Sequence, residues 1–89
     1  MKLSELKAGM IIECHCGNKY LLVETKKELV GIAVHGWIEL NHLNEDMISQ
    51  IDPIWTIDKV YDIICPASLG TLLHDPIGRL VEIWSRNEQ

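Results

Sequence analysis

Between Ile54 and Ile64 the chain reads I-W-T-I-D-K-V-Y-D-I-I, and this stretch constrains the fold more than any other. From Trp55 onward its residues divide into two alternating sets. Trp55, Ile57, Lys59, Tyr61 and Ile63 make one, and Thr56, Asp58, Val60, Asp62 and Ile64 the other. An extended strand turns successive side chains to opposite faces, and β-branched and aromatic residues suit it, so Trp55–Ile64 reads as one long strand. Asp52-Pro53 launches it, since proline is tolerated at a strand's first residues. The acidic, amide-rich segment Asn41–Ser49 before it reads as a loop with one helical turn, capped by Asn41 or Asn44.

The rest of the chain follows the same strand-and-turn pattern. A helical turn is expected over Ser4–Lys7, ended by Gly9. Strands follow at Met10–Cys16 and Lys19–Glu24. Gly17-Asn18 between them tolerates positive φ and suits a two-residue hairpin turn. In the first strand Ile12, Cys14 and Cys16 share one face, and Ile11, Glu13 and His15 the other. Thr25–Glu28 reads as a turn, Leu29–Val34 as a strand buried on both sides, and Trp37–Leu40 as a short strand after Gly36. Pro66 opens a short helix, Ala67–His74, that stops at Asp75-Pro76; Leu80–Ser85 is the last strand, and Asn87–Gln89 should fray. The expected fold is mostly β, a small and strongly bent β-barrel or roll of the SH3-like kind. It has about six short strands and one short helix in a single domain, 1–89.

At 89 residues the chain supports only a thin core, so assembly into a homo-oligomer or a bound ligand would strengthen it. No apolar run approaches the roughly 20 residues that span a bilayer, and the amphipathic start Met1–Lys7 lacks the apolar stretch of a secretory signal. A cytoplasmic location is expected. The net charge of −5 argues against a nucleic-acid backbone as partner, because that surface selects a basic face.

Three cysteines, Cys14, Cys16 and Cys65, are an odd number and read as reduced thiols rather than a disulfide framework. With His15, His35, His42 and His74 they supply atom types that zinc accepts, but not its spacing. A C-x-C pair in a strand sends both sulfurs one way and His15 the other, and no C-x-x-C knuckle is present. No metal and no cofactor are expected. Cys65 before Pro66 invites a nucleophile reading with His74 as base, but it continues the apolar run Ile63-Ile64 and reads as core. Asp58 and Asp62, on one face of the long strand, read as a solvated charge patch. The chain therefore reads as a binding protein, not an enzyme.

Every large ring here carries a polar handle: three Trp, two Tyr and no Phe. Such residues serve equally as core and as stacking surfaces. Trp37, Trp55, Tyr61 and Trp84 all fall on expected strands and are the candidate stacking residues. Arg79 and Arg86, flanking the last strand, are the candidate phosphate contacts.

The order of G-N-K-Y-L-L-V at Gly17–Val23, G-W-I-E-L at Gly36–Leu40, L-N-E-D-M at Leu43–Met47, W-T-I-D-K-V-Y-D at Trp55–Asp62 and I-W-S-R at Ile83–Arg86 resembles a large group of small phage and prophage proteins of Gram-positive hosts. The opening Leu6-Lys7-Ala8-Gly9 resembles their L-K-x-G start. Ala67–Gly78 departs from the pattern, as does Cys14-His15-Cys16. The resemblance implies an accessory protein of an infected cell, with no catalytic residues to carry over. Two functions fit such a protein. One is an oligomeric sponge that sequesters a nucleotide second messenger of host antiviral signalling without cleaving it. The alternative is an inhibitor docking an acidic surface (Glu39, Glu45, Asp46, Asp58, Asp62) on a host defence protein.

Overall fold

The computed structural model describes residues 1–88, Glu88 by its backbone alone. Six strands, β1 (Ile11–Cys14), β2 (Lys19–Glu24), β3 (Leu29–Ile32), β4 (Trp37–Glu39), β5 (Ile57–Ile63) and β6 (Leu80–Ser85), form one sheet in the order β4-β3-β2-β1-β5-β6. Every pairing is antiparallel. The first four strands are a meander. The fifth then crosses to the free side of β1, which makes β1 central. Ile38 of β4 and Trp84 of β6, from opposite edges, both pack on the same core cluster, so the sheet curls into a roll. It does not close as a barrel, because β4 and β6 remain edges.

Gly31 lets β3 sit close beneath the side chains of its neighbours β2 and β4. A Cβ there would lie 3.0 Å from Tyr20 Cβ and 3.1 Å from Ile38 Cγ1, closer than side chains pack.

The two sheet faces are covered differently. The roofed face buries Leu6, Ile12, Cys14, Tyr20, Leu22, Ile57 and Val60 beneath a loop that contributes Leu40, Leu43 and Met47. Asn44 organises that roof: its side-chain oxygen accepts the N–H groups of Asp46 (2.9 Å) and Ile48 (3.1 Å). The turn leaves Met47 at φ 65°, a left-handed conformation uncommon outside glycine, with its side chain fully buried. On the other face one helix, α1 (Leu69–His74), lays Leu72 and Leu73 on Ile11. Its N-cap is Ser68, whose hydroxyl accepts the Thr71 N–H, so the helix starts two residues beyond the expected Ala67.

Four local expectations are corrected. Trp55 is not in the long strand: Pro53–Trp55 form a 3₁₀ turn capped by Asp52, and β5 begins at Ile57. The β1–β2 hairpin turns on three residues, His15–Gly17, not on Gly17-Asn18. The Cys14 carbonyl accepts the Gly17 N–H (2.8 Å), Cys14 N–H donates to Asn18 (2.9 Å), and Gly17 sits at φ 92°. Cys16 therefore leaves the strand face it was expected to share with Ile12 and Cys14, and is exposed. Finally, Ile57 does not share a face with Tyr61. The register steps from Glu13↔Lys59 to Cys14↔Ile57, leaving Asp58 as a bulge and returning Ile57 to the roofed core beside Val60.

The boundary shifts elsewhere are small. The opening turn spans Leu3–Glu5, β3 stops at Ile32, and residues 86–88 form a 3₁₀ turn where fraying was expected; Gln89 lies outside the described residues. No described helix is long and apolar enough to cross a membrane.

Candidate functional site

Two clefts flank a shared wall. The wall is the hairpin loop zipped to the 3₁₀ turn: His15 N–H donates to the Thr56 carbonyl (2.8 Å) and Cys16 N–H to the Ile54 carbonyl (3.3 Å). These bonds extend the β1–β5 pairing past the Asp58 bulge and tie the loop to the turn.

On one side lies a mostly apolar cleft of about 370 Å³ that brings together Tyr20, Trp37 and Trp55 with His35, His74 and Lys19. Trp37 is 62% exposed on edge strand β4, an unusual place for a side chain whose burial would be so favourable. Trp55 reaches the cleft because the 3₁₀ turn takes it off the strand, and it also touches the roofed core. Tyr20 is buried, and burial raises its phenol above the ordinary range, so it meets the cleft as a neutral hydroxyl. The cleft's Lys19 is already paired with Glu13 at 3.2 Å.

On the other side a polar cleft of about 270 Å³ is lined by His15, Thr56, Asp58, Arg86 and Asn87, with Pro53. The bulge turns Asp58 toward this space. One of its oxygens meets His15 Nδ1 at 2.9 Å and the other stands 3.7 Å from Arg86 Nε. Arg86 is held by the main chain: Nε and Nη2 donate to the Ile57 carbonyl (3.1 and 2.7 Å), Nη2 donates to the Asp46 carbonyl (3.0 Å), and the guanidinium lies 5.1 Å over the Trp84 ring.

Of the six candidate ligand residues, then, only Trp37 and Trp55 meet in one cleft. Arg86 borders the polar cleft. Trp84 packs on the roofed core beneath Arg86, with Nε1 unpartnered among the described residues. Tyr61 packs near the helix and donates its hydroxyl to Glu13 (3.0 Å). Burial, then that carboxylate, pushes its phenol well above the ordinary range. Arg79 ties the β5–β6 connection together, donating to Cys65 Sγ (3.3 Å) and the Pro66 carbonyl (3.0 Å).

The other sequence candidates are dispersed. Cys65 lies against Arg79 while His74 lines the aromatic cleft, and His42 is bound to Ser49. Asp62 is exposed opposite Val81, away from the bulged Asp58. Cys14 is sealed in the core, its thiol pushed up to about 12 chiefly by burial. Among the described residues, no three His, Cys, Asp or Glu gather as metal ligands. The acidic roof is engaged by the N-terminal segment: Leu3 N–H donates to the Glu45 carbonyl (2.9 Å), Ser4 to its carboxylate (3.1 Å), and Lys2 pairs with Asp46. That pairing raises the Lys2 ammonium and lowers the Asp46 carboxyl.

Sequence reasoning missed Tyr20, His35 and His74 in the aromatic cleft, and the grouping of His15 with Asp58 and Arg86. For Tyr20 the hairpin register was the available signal, since Ile12↔Tyr20 carries it to the roofed face. The Asp58 bulge leaves no mark in a period-two pattern. Comparison with protein-family models, curated proteins and solved structures found no match.

Proposed function

We propose that this protein is a non-catalytic binder that sequesters a nucleotide-class second messenger, seating its base in the aromatic cleft. The observation that carries this reading is the convergence of Trp37 and Trp55, distant in sequence, on one cleft, with Trp37 left exposed at a sheet edge. Indole faces stack on any base, at about 1–3 kcal/mol per base. A cleft of this size fits a purine ring, and its apolar walls favour a flat heteroaromatic group over a charged one. His35 and His74 on the cleft lining and the Tyr20 hydroxyl offer hydrogen bonds to ring edges.

The resemblance to small phage proteins supplies the setting, counter-defence in the host cytoplasm. The cleft is open to solvent, and a protomer this small does not enclose a nucleotide, so the reading includes a homo-oligomer. The acidic-surface alternative has less to work with, because Asp46 and Asp58 already face Lys2 and Arg86.

Tryptophan fluorescence and thermal shift against a nucleotide panel test the proposal. At least one nucleotide should quench emission and raise the melting temperature, and Trp37→Ala should abolish both effects while leaving the fold intact. A panel with no response, or binding unchanged in Trp37→Ala, overturns it.

A further inference from the structure

The polar cleft is the second cavity beside the shared wall. We infer that it takes a compact oxyanion, a phosphate or phosphoryl group, between Arg86, His15, Thr56 and Asn87. This inference does not rest on the aromatic cleft, because the group it recognises has no ring.

Three features support it. First, Arg86 is fixed before any ligand arrives. Its Nε and Nη2 are spent on two main-chain carbonyls, while Nη1 has no partner among the described residues and the side chain lines the cleft. Carbonyl acceptors orient the guanidinium without cancelling its charge, and a fixed fork loses little entropy on binding an oxyanion. Second, Asp58 takes His15 by Nδ1, which leaves Nε2 as the ring's remaining hydrogen-bonding atom: it accepts the P–O–H of a protonated phosphate when the ring is neutral and donates to an oxyanion oxygen when the ring is a cation. Third, Thr56 and the exposed Asn87 amide supply neutral donors on the same cleft. Thr56 Oγ1 already accepts the Ser49 N–H (3.1 Å), so its proton is free to be donated outward.

Asp58 faces the same space and opposes an anion. Its charge is set against both Arg86 and His15, 3.7 Å and 2.9 Å away, and it acts as the positioning residue for these two side chains. In a chain of net charge −5, this cleft gathers Arg86 and His15 around a single carboxylate.

The test is a titration of the ¹⁵N-labelled full chain with inorganic phosphate at constant ionic strength, sodium chloride serving as control. The His15 ring, Arg86 Nε and Asn87 side-chain amide resonances should move saturably by tens of millimolar phosphate. His15→Ala and Asn87→Asp should each weaken binding about tenfold, the scale of one charge-assisted hydrogen bond. No saturable movement, or unchanged affinity in both variants with spectra still dispersed, overturns the site. A parallel titration with a nucleoside monophosphate separates the sources. Tighter binding than phosphate, with the Trp37 and Trp55 indole signals moving too, assigns the anion to a nucleotide. Equal affinity with still indoles assigns it to free phosphate and counts against the aromatic-cleft proposal alone.

Discussion

The roofed face and the helix face of the sheet share β1, yet they are built to different standards. Beneath the roof, ten buried side chains from three strands, the N-terminal segment and the loop form one continuous cluster. Under α1 the buried cluster among the described residues is Ile11, Leu72 and Leu73, and the helix is six residues long. A helix so short does not hold itself together and depends on the contacts of its apolar side. The roofed face therefore carries the stability. The helix face supplies adjustable parts, and His74 at its last turn borders the aromatic cleft.

The largest test of that contrast is a pair of truncations. Leu22→Ala, at a fully buried position under the roof, should cost about 3–5 kcal/mol in denaturant unfolding. Leu73→Ala, under the helix, should cost about 2–3 kcal/mol and loosen amide protection mainly in α1. Equal costs with global loss of protection would break the distinction.

A smaller effect separates the faces by pH. Cys14 lies under the roof and Tyr61 on the helix side, and each has its acid form favoured by folding. A raised folded-state pKa means that the stabilisation is complete below the unfolded value and is lost as pH climbs toward the folded one. For Cys14 that window runs from its ordinary value of 9.0 to about 12. Unfolding free energy should hold level up to pH 9 and then fall, and Cys14→Ala should make the fall shallower.

The smallest expected effect is Tyr61→Phe. It removes one partly buried hydrogen bond to Glu13, about 1 kcal/mol at neutral pH, and leaves that carboxylate to Lys19. A loss several times larger would show that the helix face is held more firmly than its packing indicates.

The same contrast explains what could be read in the chain beforehand. Alternation, β-branched content and turn residues located all six strands, but their order in the sheet was not read from them. The covering of each face was harder. Asn41–Ser49 read as a polar loop, and nothing local says that Leu43 and Met47 fold inward to seal the core. The candidate sites divide likewise. Trp37 and Trp55 were chosen for chemistry, and they converge because the 3₁₀ turn capped by Asp52 holds Trp55 off β5, which begins only at Ile57. Arg79 and Arg86 were chosen for charge, but main-chain carbonyls take Nε and Nη2 of Arg86, and Nη1 of Arg79 is drawn to the Pro66 carbonyl and Cys65 Sγ, contacts that composition does not encode. Asp58 owes its place to a bulge in the pairing of β1 with β5, set by tertiary fit.

Met47, sealed under the roof in its left-handed turn, gives that loop a chemical vulnerability. A thioether shut away from solvent meets an oxidant only when the loop lifts, whereas Met1 and Met10 are only partly covered. Once converted to the sulfoxide, the side chain is polar and no longer suits an apolar pocket. One transient opening in the presence of peroxide would then become a lasting one, until a reductase restored the sulfur and let the loop settle again.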